Sequence, residues 1–410
     1  MEKYRYIEDF KKLGFGMFVH FGLYSMRGMG EWTYKIHLTD EKQKADYRAL
    51  VKEFCVAPDW AKQLAETAKR AGCKYITLTT RHHDGFSLYD TCGLNTFDAP
   101  HSKCGRDLVR EFVDACNENG IVPFFYHTLL DWWRPEYTSD FPAYIDYLIK
   151  SVEILCKNYG KIGGIWFDGW WDKKETPEVW QEDRLYAAIR KYQPQAIIVN
   201  NTGMGLRGKT GHEEIDCVTY ERGKPAADVQ TEKPLAGEMC EVLNAHWGYA
   251  QNDCKYKSVS ELICTLMTCR RYNCNFLLNV GPMGNGLMKE LDRGMFTEIG
   301  KWIALNGDFI YNVRGTDIEF AGDNYVVKDD EYYYAVYCDL NMVADANVAL
   351  NGKKAQNGAF RLNRKVKSVR WLDNGEELAF TQDENGDVTI KPTPFRYGCS
   401  MPLRIAKIAF

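Results

Sequence analysis

Gly164-Ile165-Trp166-Phe167-Asp168-Gly169-Trp170-Trp171 is the stretch that decides how this chain is read. Gly163 and Gly164 lead into an apolar run and Gly169 breaks it, so Ile162 to Phe167 reads as a buried strand rather than a helix. Asp168 then stands where a buried strand meets a loop. In parallel α/β folds, catalytic groups collect at that edge. Aromatics on both sides of one carboxylate fit a site that stacks on sugar rings or excludes water. A turn or capping aspartate is the plainer alternative.

Working outward, strand-like runs alternate with helix-like segments through the first three quarters of the chain. Strands are expected at Gly16–His20, Tyr75–Thr80, Ile121–Tyr126, Gly164–Asp168, Ala196–Asn200 and Phe276–Val280. Helices are expected at Asp59–Ala71, Asp107–Asn119, Phe141–Tyr159, Pro177–Tyr192, Ser258–Arg271 and Met288–Leu305. Pro58 precedes the first of these, and Gly72, Gly120 and Gly160 close three of them, the usual punctuation of helix ends. Repeated strand–helix units imply a parallel sheet with right-handed crossovers. At least six such units over about 300 residues favour a closed (β/α)8-like barrel over an open doubly wound sheet. No GxGxxG follows an early strand to support a dinucleotide fold.

Past Ile310 the texture changes. Short strands are expected at Asn324–Lys328, Glu331–Cys338, Val348–Leu350, Val366–Trp371, Glu377–Phe380 and Val388–Lys391, separated by the turn pairs Asn351-Gly352, Asn374-Gly375 and Asn385-Gly386. Asn-Gly turns between short strands mean antiparallel pairing. The organisation expected is therefore a catalytic (β/α) barrel over residues 1–310 and a small antiparallel β-sandwich over residues 311–410.

The bulk properties exclude several classes. A net charge of -4 gives no electrostatic case for nucleic acid or an acidic membrane surface, and no apolar stretch approaches membrane-spanning length. The N-terminal ten residues lack the apolar core of a signal peptide. The 14 Cys are scattered, and Cys264, Cys269 and Cys274 come without a CxxC pair, so reduced thiols in a cytoplasmic protein are expected rather than a zinc cluster. Aromatic residues make up 14% of the chain, a composition that suits clefts for carbohydrate.

Polar groups gather at the ends of the expected strands. His20 follows the first, with Glu31 and Trp32 in the loop beyond. Arg81-His82-His83-Asp84-Gly85-Phe86 follows the second, Tyr126 and His127 close the third, and Asp168 closes the fourth. A lone strand-end His is more often structural, but a barrel brings all these ends to one face. Neutral imidazoles donate at one nitrogen and accept at the other, which suits adjacent sugar hydroxyls and also suits a metal. Consecutive His82 and His83 would point to opposite faces of an extended strand, which disfavours a shared ion. Two carboxylates can carry out glycosidic chemistry without a cofactor. With Asp168 as the first, the second is expected from a later loop, where Glu221, Glu238 and Glu241 are available.

Taken together, Phe15-Gly16-Met17-Phe18-Val19-His20-Phe21-Gly22, Glu31-Trp32, Arg81-His82-His83-Asp84-Gly85-Phe86, Trp166-Phe167-Asp168-Gly169, His246-Trp247-Gly248-Tyr249 and Leu277-Leu278-Asn279-Val280-Gly281-Pro282 resemble the retaining α-L-fucosidases of glycoside hydrolase family 29. The resemblance runs in order through the whole expected barrel. It implies that Asp168 is the nucleophile and that His20, Glu31, Trp32, His82, His83, Tyr126 and Trp166 hold the fucose. It also implies that Trp247 walls the sugar's methyl group. The family's Thr-Pro-Glu pattern reads Thr219-Tyr220-Glu221 here, which makes Glu221 the first choice of acid/base. Its Trp-Glu pattern reads Gly237-Glu238, having lost the Trp, which leaves the role of Glu238 open. His127 stands where a small residue is common.

The resemblance thus implies an exo-glycosidase acting on terminal α-L-fucose of fucosylated glycans by double displacement, with no cofactor and no metal. A carbohydrate-binding relative without activity and a His-liganded metallohydrolase are the competing readings.

Overall fold

The computed structural model describes residues 2–202, 210–225, 233–338, 340, 342–343 and 358–410. Eight parallel strands close into a barrel in sequence order. They are β1 (Phe15–Val19), β2 (Tyr75–Arg81), β3 (Val122–Thr128), β4 (Gly164–Asp168), β5 (Ile197–Asn200), β6 (Cys217–Glu221), β7 (Ala236–Val242) and β8 (Cys274–Val280). Closure is visible at Gly16, which lies opposite Tyr75 on one side and Leu277 on the other.

Six of the eight strands match the expected ones. β6 and β7 were not anticipated, so Glu221 and Glu238 lie on strands and not, as expected, in a loop. The barrel interior explains why. Thr219, Glu221 and Glu238 interrupt the apolar run that marks a buried strand, because inside the barrel they find polar partners on other strands or just past a strand end, Asn201 for the first two and Tyr75 and Trp166 for Glu238. β3 runs two residues past its expected end, through His127 to Thr128. The helix expected at Pro177–Tyr192 is two elements, a 3-10 turn at Pro177–Trp180 and an α-helix at Glu182–Tyr192. The break falls at Gln181, whose φ of 48° cannot continue a helix.

The outer helices carry the local signals their sequence promised. Asp107 accepts a hydrogen bond from Arg110 N at the start of Leu108–Asn119, and Gly120 ends that helix in the left-handed region at φ 69°. Asp140 caps Phe141–Asn158, and Ser258 and Glu261 form a reciprocal capping box on Val259–Arg271.

Strand period two sorts side chains into layers. Phe18, Tyr75, Phe124, Tyr126, Trp166, Ile197, Val199, Cys217, Ala236, Cys240 and Leu277 fill the interior together with Ile7 and Phe10 from the N-terminal helix Arg5–Lys11. Two residues further along the same strand face, His20, Asp168, Asn201, Glu221 and Asn279 form the next layer, at the C-terminal end.

By compactness the chain divides into Met1–Lys257 with Asn275–Thr297, and Ser258–Cys274 with Glu298–Phe410. In the second unit, Ser368–Trp371, Arg404–Ala409, Tyr333–Tyr337, Tyr325–Lys328 and Arg314–Gly315 make a five-stranded sheet in that order, antiparallel throughout. Gly358–Arg361, Asp387–Lys391 and Ala379–Gln382 make a second antiparallel sheet. Val369, Trp371 and Ile408 from the first sheet and Phe360, Val388 and Ile390 from the second share one buried core, the arrangement of a sandwich. Arg404–Ala409, paired on both sides in the five-stranded sheet, was not anticipated. The strand expected at Val348–Leu350 and its turn at Asn351-Gly352 lie outside the described residues. None of the 14 cysteines is paired in a disulfide.

Candidate active site

A cavity opens at the C-terminal end of the barrel. His20, Glu31, Trp32, His82, Tyr126, Trp166, Asp168, Glu221 and Trp247 all line it. His83 reaches the same centre from behind Asp168, with Nε2 3.5 Å from Oδ2. Phe18, Trp171, Asn201 and Cys240 also line the cavity and were not singled out from the sequence. The available signal was period two: Phe18 precedes His20, and Asn201 follows the expected strand end at Asn200, so both share the inward face.

Asp168 is held from several sides. Tyr126 donates its hydroxyl to Oδ2 at 3.0 Å, and Asn201 donates Nδ2 to Oδ1 at 3.3 Å. Gly169, at φ 96°, turns the chain immediately after the carboxylate. A Cβ there would stand 2.8 Å from Leu130, so glycine is required on both counts. Burial acts to raise the Asp168 pKa, but the hydrogen bond and charge of His83, the Gly169 N–H and the Tyr126 hydroxyl outweigh it and bring it down to about 2.

Glu221 is the opposite case. Burial and the negative charge of Asp168 raise its pKa to about 7, against the lowering effect of a hydrogen bond from Asn201. That bond runs from Asn201 Nδ2 to Glu221 Oε2 at 2.7 Å. One amide nitrogen therefore bridges the two carboxyl groups. The two bonds together, 3.3 plus 2.7 Å, cap the separation of Asp168 Oδ1 and Glu221 Oε2 at 6.0 Å.

Glu238 does not join them. It lies below the cavity floor, accepting from Tyr75 Oη at 2.5 Å and from Trp166 Nε1 at 2.9 Å. Burial raises its pKa to about 7 as well. Glu241 points away and pairs with Lys257 at 3.2 Å. His127 alternates with Tyr126 on β3 and faces outward, towards Thr128 O at 2.8 Å and Tyr89 Oη at 3.5 Å.

The histidines differ in what they can offer. His20 Nδ1 lies 2.6 Å from Asn279 Oδ1, and the Asn279 amide donates to Trp247 O at 2.7 Å. The Asn279 oxygen must therefore accept, His20 Nδ1 carries the proton, and Nε2 is an acceptor. Burial lowers the His20 pKa to about 3, so the ring is neutral. His82 is held neutral by burial and by its neighbours His83 and His20, and its Nδ1 is buried without a partner. His82 and His83 would diverge on an extended strand, whereas a loop could bring them together. They sit just beyond the end of β2 and converge, with ring centroids 4.2 Å apart. His83 Nδ1 meets Thr128 Oγ1 at 2.6 Å, and that hydroxyl donates to Leu130 O. Both nitrogens of His83 thus face acceptors, Thr128 and Asp168.

Glu31 lines the cavity and also accepts from Gly248 N at 2.7 Å, tying the loop after β1 to the Trp247 segment. Close approach is needed here too: a Cβ on Gly281 would lie 2.6 Å from the backbone of Gly248 and Tyr249. The rim is aromatic, with Trp32 stacked on Trp171 at 6.0 Å. Among the described residues, no group of three or more His, Cys, Asp or Glu is arranged to hold a metal ion, and no helix is long and apolar enough to cross a membrane.

The family profile described as Alpha-L-fucosidase matches residues 1–308. Tissue alpha-L-fucosidase of Mus musculus is 29% identical over 74% of this chain and 70% of its own length. The Alpha-L-fucosidase of Dictyostelium discoideum is 26% identical over 72% of this chain and 69% of its own length. With a Caenorhabditis elegans relative at 65%, the chain spans about two thirds of the length of these curated relatives. The solved structure of alpha-L-fucosidase isoenzyme 1 from Paenibacillus thiaminolyticus superimposes with a TM-score of 0.84 at 29% identity, covering 100% of this chain and 99% of that one.

Proposed function

The chain belongs to the alpha-L-fucosidase family of glycoside hydrolases, and from that premise we propose that it releases terminal α-L-fucose from fucosylated glycans by a retaining double displacement, with Asp168 as nucleophile and Glu221 as acid/base. The observation that carries the reading is the Asn201 bridge. Retaining glycosidases place their two carboxyl groups about 5–5.5 Å apart and inverting ones about 6.5–9.5 Å. Two carboxyl groups bridged by one amide nitrogen, with their facing oxygens no more than 6.0 Å apart, fit the closer, retaining spacing better than the wider one. The two environments also push the pKa values apart, to about 2 and about 7, which assigns one group as the anion and the other as the acid.

Ionised Asp168 attacks the anomeric carbon as the glycosidic bond breaks, and Glu221 passes its proton to the departing oxygen. The resulting ester leaves Asp168 neutral, which removes the charge that raised the Glu221 pKa. Glu221, now ionised, takes a proton from water, and the hydroxide formed releases the sugar with net retention. His83, with Nε2 3.5 Å from Oδ2, favours the ionised form of the nucleophile. His20 Nε2 accepts from a sugar hydroxyl, and Trp247 with Phe18 offers an apolar wall to a C6 methyl, a contact that discriminates against galactose by about 1–3 kcal/mol.

Trp32, Asp168, Trp171, Glu221 and Trp247 are partly exposed, while His20, Glu31, His82, Tyr126 and Trp166 line the buried part of the cavity, a shape that suits a terminal sugar residue. The test is to trap the enzyme with 2-deoxy-2-fluoro-α-L-fucosyl fluoride and sequence the labelled peptide. An ester on Asp168 is expected. A label on another carboxylate, or hydrolysis of aryl fucoside without any label, overturns the reading.

A further inference from the structure

Asn201 and Thr219 are both buried, at 2% exposure each. Asn201 ends the inward face of β5, and Thr219 lies two residues before Glu221 on the inward face of the adjacent β6. Thr219 donates Oγ1 to Asn201 Oδ1 at 3.0 Å. The carboxyl groups fix which end of the amide points where: only its nitrogen can donate to Asp168 Oδ1 and Glu221 Oε2, which leaves its oxygen to accept from the Thr219 hydroxyl, and that bond anchors the side chain in this orientation. A flipped amide would turn its oxygen towards two carboxyl groups and strip both of their donor. Thr219 does not line the cavity, so it acts on the reaction only through Asn201.

We propose that Asn201, locked by Thr219, is a positioning residue that sets the spacing of the two carboxyl groups and dictates which oxygen of Glu221 carries the transferable proton. Because Oε2 accepts from the amide, a proton on Oε2 would oppose the N–H already there. The acid proton is therefore carried by Oε1. After transfer the same amide hydrogen-bonds the new carboxylate and keeps Glu221 in register for the second step, when it takes a proton from water. This rests on the assignment of Asp168 and Glu221 above and adds to it the parts that aim them.

The test compares Thr219→Val with wild type on two substrates, a fucosylated oligosaccharide, whose leaving group needs a proton, and α-L-fucosyl fluoride, whose leaving group needs little. In T219V the amide loses its lock. We expect kcat/KM on the oligosaccharide to fall at least about tenfold further than on the fluoride, within the range general acid catalysis supplies. Thr219→Ser, which keeps the hydroxyl, restores the wild-type ratio. The alkaline limb of kcat/KM moves upward in T219V, because ionised Glu221 loses a donor. Should T219V not fold, Asn201→Ser, read by the same substrate ratio, takes its place. Equal loss on both substrates, or no loss, overturns the proposal. The outcome is separable from the parent reading: if T219V behaves as wild type while the fluoro-sugar still labels Asp168, only the role of Asn201 and Thr219 falls.

Discussion

Ionising Glu221 is made costly by burial and by the Asp168 carboxylate beside it, and that cost is visible both in activity and in stability. The folded pKa, about 7, is raised from an ordinary 4.5. Below about pH 4.5 the residue is protonated in folded and unfolded chains alike and costs nothing. Between 4.5 and about 7 the unfolded chain ionises while the folded one resists, so stability falls as pH rises. Above about 7 the penalty is constant, on the order of 3 kcal/mol. Glu221→Gln removes it. The variant is expected to lose activity on oligosaccharides yet unfold at a higher temperature than wild type at pH 8, with the gap closing at pH 4.5. The same titration sets the alkaline limb of wild-type kcat/KM near pH 7. Thermal melts of both proteins at the two pH values check this; an E221Q that is no more stable at pH 8 would mean that Glu221 ionises freely.

At the scale of elements, β7 does structural work that its sequence disguises. Glu238 ties three strands across the barrel, accepting from Tyr75 on β2 and Trp166 on β4. Glu238→Leu strands both donors in the interior and is expected to cost about 1–3 kcal/mol for each, while Glu238→Gln keeps an acceptor and folds normally. Neither variant should show the leaving-group dependence expected of an acid catalyst. If E238Q spares fucosyl fluoride and abolishes oligosaccharide turnover, the acid/base belongs on β7.

The barrel strands that escaped the sequence reading are those with most polar residues inside. An apolar run such as Ile165–Phe167 announces itself, whereas Thr219, Glu221 and Glu238 look like loop until the barrel supplies their partners. The site was legible where one residue type carries the chemistry, as at Asp168, His20 and Trp247. Asn201 was not legible, because an asparagine at a strand end has many uses and its meaning here comes from residues 18 and 33 positions away. The convergence of His82 and His83 was left open by the sequence, because the strand was expected to end before them and the path of the loop beyond depends on its tertiary contacts.

Across the whole barrel, chemistry and anchoring occupy opposite ends. The N-terminal end is plugged by the helix Arg5–Lys11. Phe10 lies 5.6 Å from the Tyr75 ring and 5.4 Å from Phe124, and its carbonyl accepts from Asn275 Nδ2 at 2.8 Å. Tyr6 reaches Asp216 Oδ1 at 2.9 Å, below β6. Cutting Phe10 back to Ala leaves a cavity under the lowest aromatic layer, at a cost of about 3–5 kcal/mol. The layer of Phe18, Tyr126 and Trp166 stands between that cavity and the catalytic carboxyl groups. Phe10 shares no hydrogen-bond partner with Asp168 or Glu221, so Phe10→Ala is expected to lower the melting temperature sharply while kcat/KM, measured well below the melt, stays within about twofold of wild type. Denaturant unfolding and steady-state kinetics on the same preparation decide the matter. A fall in kcat/KM matching the loss of stability would show that the floor of the barrel sets the spacing of Asp168 and Glu221 directly, and that the Asn201 bridge alone does not hold it.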